Sequence, residues 1–159
     1  MSLQHQAETF LARKRIAVVG VSREPGTGNA IFNRLQKAGY DAVPVNPHAA
    51  EIEGVPCYPS VQAIPAPVEA VVIVTRPEVT ETVVRDCAAA GVSRVWMHEN
   101  GFAGPANSSV SAEAVAFCRE NGIEVIAGGC PLMFGPTADF GHKCMRWLLG
   151  VMGRLPESA

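Results

Sequence analysis

An excess of charge of either sign is missing from this sequence: 13 lysines and arginines stand against 15 aspartates and glutamates, a formal net charge of −2. Without a basic field there is no electrostatic footprint for nucleic acid. No apolar run approaches the ~18 residues expected of a membrane span, and Met1 to Lys14 has no apolar stretch of the secretory kind. The protein therefore reads as cytoplasmic and independent of membranes. No CxxC pair occurs. The five cysteines, Cys57, Cys87, Cys118, Cys130 and Cys144, are odd in number and lie far apart in apolar segments. That pattern indicates reduced thiols, not a disulfide framework or a metal centre. No triad arrangement and no paired carboxylates stand out as a catalytic signature. At 159 residues the chain has room for one domain with a single substantial core.

What is present alternates. Short apolar runs rich in β-branched residues, at about 15–20, 40–45, 68–74, 94–98 and 123–127, read as strands. Between and around them, residues 3–13, 28–38, 77–90, 108–121 and 139–153 carry apolar residues at helical spacing. Pro44 makes the second strand awkward as a central one and places it near an edge. A two-residue edge strand is expected near Ile52. Strand and helix in alternation predict an α/β fold: a Rossmann-like, doubly wound, mostly parallel sheet of five or six strands with helices on both faces. The helix over 139–153 aligns Phe140, Cys144, Trp147, Leu148, Val151 and Met152 on one face. Such a face either packs on the domain or makes a homodimer contact.

The chain is organised around Arg15 to Asn29, where a strand breaks into Gly20-Val21-Ser22-Arg23 and a helix follows. Strand, glycine turn and helix form the first half of a dinucleotide-type unit, and the helix N-terminus attracts phosphate. In an open parallel sheet, ligands bind beyond the carboxyl ends of the strands. The exit loops bring Ser22, Arg23, Asn46, His48, Thr75, Arg76 and Asn100 to that end, a donor-rich and cationic set suited to a phosphate-bearing ligand. The turn is not GxGxxG, and at the end of the second strand Asn46 stands where an NAD site usually has an acid. A neutral residue there tolerates a phosphorylated ribose, so the pattern points away from NAD and toward NADP or coenzyme A.

The sequence resembles the CoA-binding domain proteins, small stand-alone relatives of the CoA-binding domain of the succinyl-CoA synthetase α subunit. The resemblance covers roughly residues 13–133. It rests on Ala17-Val-Val-Gly-Val-Ser22, Val43-Pro-Val-Asn-Pro47, Ile52-Glu-Gly54 with Tyr58-Pro-Ser60, Ala70-Val-Val-Ile-Val74 with Arg76-Pro77, and Cys130-Pro131. It implies a fold that binds CoA or an acyl-CoA. Gly20, Val21, Ser22 and Arg23 would meet the pyrophosphate, and Val45, Asn46 and Pro47 would line the adenosine side. Val74, Thr75, Arg76 and Pro77 would form a third wall, and Asn100 and Gly101 would reach the pantetheine arm. The stretch 101–109 and the tail from Leu132 onward exceed the family pattern.

The synthetase relatives carry a phosphorylated histidine in a second domain that this sequence lacks. The leading expectation is therefore a non-catalytic CoA-binding module, sensor or subunit. One alternative is an NADP-binding oxidoreductase or redox sensor. Another is an acyl-CoA-handling enzyme in which His98, at the end of a buried strand, or the 128–131 loop does chemistry.

Overall fold

The computed structural model describes residues 1–156. The strands are β1 (Arg15–Val19), β2 (Asp41–Val45), β3 (Glu51–Ile52), β4 (Val55–Pro56), β5 (Ala70–Ile73), β6 (Arg94–Met97) and β7 (Glu124–Ala127). The helices are α1 (Leu3–Leu11), α2 (Thr27–Lys37), α3 (Pro77–Ala89), α4 (Ala112–Glu120) and α5 (Phe140–Val151). Five strands form one wholly parallel sheet in the order β2-β1-β5-β6-β7. The strand order reverses between β1 and β5, so the crevice that such sheets offer a ligand opens beyond their carboxyl ends.

Successive side chains of a strand point to opposite faces, and both faces of this sheet are apolar. Ile16, Val18, Val72 and Trp96 face one side, where α1, α2 and α5 contribute Phe10, Ile31, Phe32, Leu35 and Leu149. Ala17, Val19, Val71, Ile73 and Met97 face the other, where α3 and α4 contribute Val84, Cys87, Ala114 and Cys118. Helices thus cover both faces, and each fully buried aliphatic side chain contributes about 1.5–3 kcal/mol.

Pro44 lies at the sheet's outer margin, as its missing N–H requires. Asp41 donates inward to Lys14, so Ala42, Pro44 and Asn46 point their backbone groups outward. There a single parallel bridge joins Val45 to Tyr58, and the Tyr58 N–H donates to the Pro44 carbonyl at 3.2 Å. The short strand expected near Ile52 is one arm of a separate two-stranded hairpin, β3–β4, and not an edge of the main sheet.

Two features differ from the sequence reading: where α4 starts and which face of α5 packs. α4 begins at Ala112, because Ser108 pairs antiparallel with Glu99 and Ser111 caps the helix by accepting from the Ala114 N–H. α5 packs through residues outside its apolar stripe. Leu149 is buried and Met145 half-buried, whereas Phe140, Trp147 and Val151 are 84%, 71% and 68% exposed. The Arg34 guanidinium meets Asp139, the N-cap of α5, at 2.7 Å, and Leu149 packs against Gly101 toward the other end of the helix. The stripe expected either to pack on the domain or to meet a second copy therefore faces outward.

Candidate functional site

The glycine turn is shaped by close packing. Gly20 has φ +104°, and a Cβ there would lie 2.1 Å from the Val74 carbonyl oxygen. Gly28, in the first turn of α2, approaches Gly20 as tightly: a Cβ on it would sit 2.3 Å from the Gly20 oxygen. The two glycines bring the end of β1, the end of β5 and the start of α2 together.

Two asparagines hold the turn in shape. Asn29, buried on α2, accepts from the Ser22 N–H at 3.2 Å and donates to the Ser22 carbonyl at 2.8 Å. Asn46 donates to the Val21 carbonyl and accepts from the His48 N–H, both at 2.8 Å. Its amide, expected to face a ribose phosphate, is thus occupied in tying the β1 and β2 exit loops together. Arg23 reaches across the same gap and donates to the His48 carbonyl at 3.0 Å.

Three cavities run along the carboxyl end of the sheet. The largest, about 740 Å³, lies between the β2 exit loop, Pro59 to Gln62 and one side of α3. It takes in Gly20, Val45, Asn46, Pro47 and Thr75. The second, about 330 Å³, shares Thr75 with it and adds Val74, Arg76, Pro77 and Asn100. The third, about 240 Å³, shares Thr27, His98 and Asn100 with the second, includes Gly101, and runs between α2 and α5. Ten of the thirteen expected site residues therefore line one or more of the three cavities. Val21, Ser22 and Arg23 line none of them: Val21 is buried, the Ser22 hydroxyl donates to the Glu24 carbonyl at 2.7 Å, and Arg23 straps the outer rim.

The helices that open on these cavities have bare N-termini. α1, α4 and α5 are capped by Ser2, Ser111 and Asp139 side chains, whereas α2 and α3, starting after Gly26 and Arg76, have no side-chain cap. Unpaired N–H groups at a helix start favour an anion.

His98 is 5% exposed, lines both smaller cavities, and its imidazole has no hydrogen-bond partner among the described residues. Burial pushes its pKa down to about 4, so the ring stays neutral near pH 7. A neutral ring can donate from one nitrogen and accept at the other. Burial pushes the Cys130 thiol up to about 11, which keeps it protonated and unreactive.

Sequence reading missed several contributors. Asn29 lies inside a helical pattern, where a side chain folded back on a loop leaves no periodic signal. Ser109 accepts from the Thr75 N–H at 3.0 Å and ties the second wall to the segment before α4. Pro59 to Gln62 and the Thr82–Val83 side of α3 join the large cavity through tertiary packing alone. The Tyr58-Pro-Ser60 motif is the signal that could have pointed to this wall.

A parallel sheet with a glycine turn at the reversal of strand order defines an α/β protein of the Rossmann type. Within that class the chain belongs to the CoA binding domain family, whose model matches residues 14–136. The ADP-forming acetate–CoA ligase I of Archaeoglobus fulgidus is 32% identical over 126 residues, which make up 77% of this chain and 18% of the ligase. The protein YneT of Bacillus subtilis is 31% identical over 124 residues, 77% of this chain and 86% of YneT. A solved structure of a hypothetical protein from Pyrococcus horikoshii OT3 shares the fold at TM-score 0.73 and 31% identity, over 81% of this chain and 87% of that one. Among the described residues, no helix is long and apolar enough to cross a membrane.

Proposed function

We propose that this protein binds coenzyme A or an acyl-CoA across the carboxyl end of its sheet, as a binding module, sensor or subunit. The observation that carries this reading is the series of three cavities, joined by shared residues, beside the uncapped start of α2. CoA is long, with a nucleoside at one end, a pyrophosphate within and a thiol at the other. The large cavity, walled by Val45, Pro47 and Val79, suits the adenosine. The turn from Gly20 to Gly28 suits the pyrophosphate, and the second cavity, which shares Thr27, His98 and Asn100 with the third, suits the pantetheine arm. Arg23 and Arg76 are exposed cations at the rim, available to the phosphates.

Isothermal titration with CoA, dephospho-CoA and NADP tests the assignment. CoA is expected to bind tightest, dephospho-CoA more weakly, and NADP not at all. Binding of NADP with CoA silent would replace this reading with the oxidoreductase or redox-sensor one. Arg23→Ala or Arg76→Ala is expected to weaken CoA binding by about 1–3 kcal/mol, the cost of a lost charge-assisted bond. Unchanged affinity in both variants would move the phosphates elsewhere.

The outward stripe of α5 is best accounted for by a second copy of the chain. A helix face pairing with itself about a two-fold axis is self-complementary, and Trp147 is a natural anchor. Sedimentation is expected to give the mass of two chains, and Trp147→Glu the mass of one. A wild-type mass of one chain would remove the homodimer.

A further inference from the structure

We infer that the cavity between α2 and α5 is an acyl subsite, selecting acyl-CoA esters with an apolar, medium-length acyl group over free CoA. This rests on the CoA reading above. The two helices run antiparallel here: Thr27 and Ala30 lie toward the end where Gly101 meets Leu149, and Arg34 lies toward Asp139 and His142. Ala30 and Ile31 of α2, Met145 and Leu149 of α5, and Leu132 and Met133 below them give apolar walls. Two of these six are methionines, which adapt readily to an irregular apolar guest.

The ends differ in chemistry. At the end away from His98, which is partly open to solvent, Asp139 is held between Arg34 at 2.7 Å and the His142 ring at 2.8 Å. The His142 backbone N–H and ring, with Arg34, hold the Asp139 carboxyl well below the usual carboxylate range. The Arg34 charge is therefore already answered and offers little to a terminal carboxylate on the guest. At the mouth, His98 is 95% buried, without a partner among the described residues, and shared with the cavity assigned to pantetheine. It stands where a thioester would pass, and an imidazole N–H there can donate to the thioester carbonyl. At the ~30 Å³ of a water molecule for each group, the volume of about 240 Å³ has room for roughly eight methylene-sized groups. His142, Met145 and Leu149 lie beyond the stretch 14–136 matched by the family model. The outer wall is thus supplied by a segment outside the family match.

The test is titration of the full chain with CoA, hexanoyl-CoA and succinyl-CoA, with Ala30→Phe as a filled-cavity variant. Ala30 is exposed on α2, so the larger side chain does not enter the core. Hexanoyl-CoA is expected to bind at least tenfold tighter than CoA, and succinyl-CoA no tighter than CoA. In Ala30→Phe the hexanoyl-to-CoA affinity ratio is expected to fall to about one, with a thermal melt confirming a folded protein. Equal wild-type affinity for CoA and hexanoyl-CoA would overturn the subsite and leave the CoA reading standing. A tighter succinyl than hexanoyl ester would overturn the apolar assignment. Failure of CoA and both esters to bind would overturn the CoA reading itself.

Discussion

Gly20→Ala is expected to cost about 3–5 kcal/mol of stability, combining left-handed backbone strain with overpacking, and to abolish CoA binding. The methyl group would lie 2.1 Å from the Val74 carbonyl oxygen and 2.8 Å from its carbon. Neither can retreat, because the Val74 N–H donates to the Val19 carbonyl at 2.8 Å and the two strands are in register. Relief requires parting β1 from β5 at the centre of the sheet. Gly39→Ala is the control. Gly39 also has positive φ, +88°, but nothing lies within 4 Å of an added Cβ, so only the backbone cost of about 1–2 kcal/mol applies. Urea denaturation measures both. A wild-type midpoint for Gly20→Ala would show that the turn does not have the close approach described.

Trp96→Ala is expected to cost about 3–5 kcal/mol, the range for removing a large core aromatic. Trp96 is fully buried on β6, with the Phe10 ring edge-on at 5.4 Å and Phe134 tilted at 5.6 Å. Its indole N–H donates to the Gly128 carbonyl at 3.0 Å. One side chain therefore ties α1, β6 and the β7 exit loop together. Trp96→Phe separates the contributions: it keeps most of the aromatic packing but leaves the Gly128 carbonyl unpaired, for about 1–3 kcal/mol. Equal losses in the two variants would assign the whole effect to the hydrogen bond. Wild-type stability in the alanine variant would contradict the burial.

The sheet was legible because its signal is local. The continuous β-branched run at 70–74 and the shorter one at 125–127 read as strands of a buried sheet, and the helical spacing between them points to parallel connections. Pro44 announced its own place, since a proline is tolerated only where no neighbour needs its N–H. The site was legible as a set of loops and much less as a set of contacts. Asn46 looked like a ligand-facing amide, and its partners at Val21 and His48 depend on how two exit loops approach each other. The rotation of α5 was hidden for the same reason. Its most apolar stripe reads as the buried one, yet His142, Met145 and Leu149 turn inward, and the contacts that go with this, Leu149 on Gly101 and Arg34 with Asp139, 105 residues away, are long-range. Likewise, Val79, one of the apolar residues at helical spacing on α3, is 40% exposed and lines the large cavity instead of the core.

Pro44 also bears on how two molecules of this protein can meet. The outer margin of β2 would be a natural place for a sheet to continue into a neighbouring molecule, as unpaired margins often do. Here the Pro44 carbonyl and the Asn46 N–H are already taken by Tyr58, and Pro44 itself has no N–H to offer. An incoming strand would find no ladder to extend along this stretch. The margin is closed to polymerisation by the same residue that marks it in the sequence.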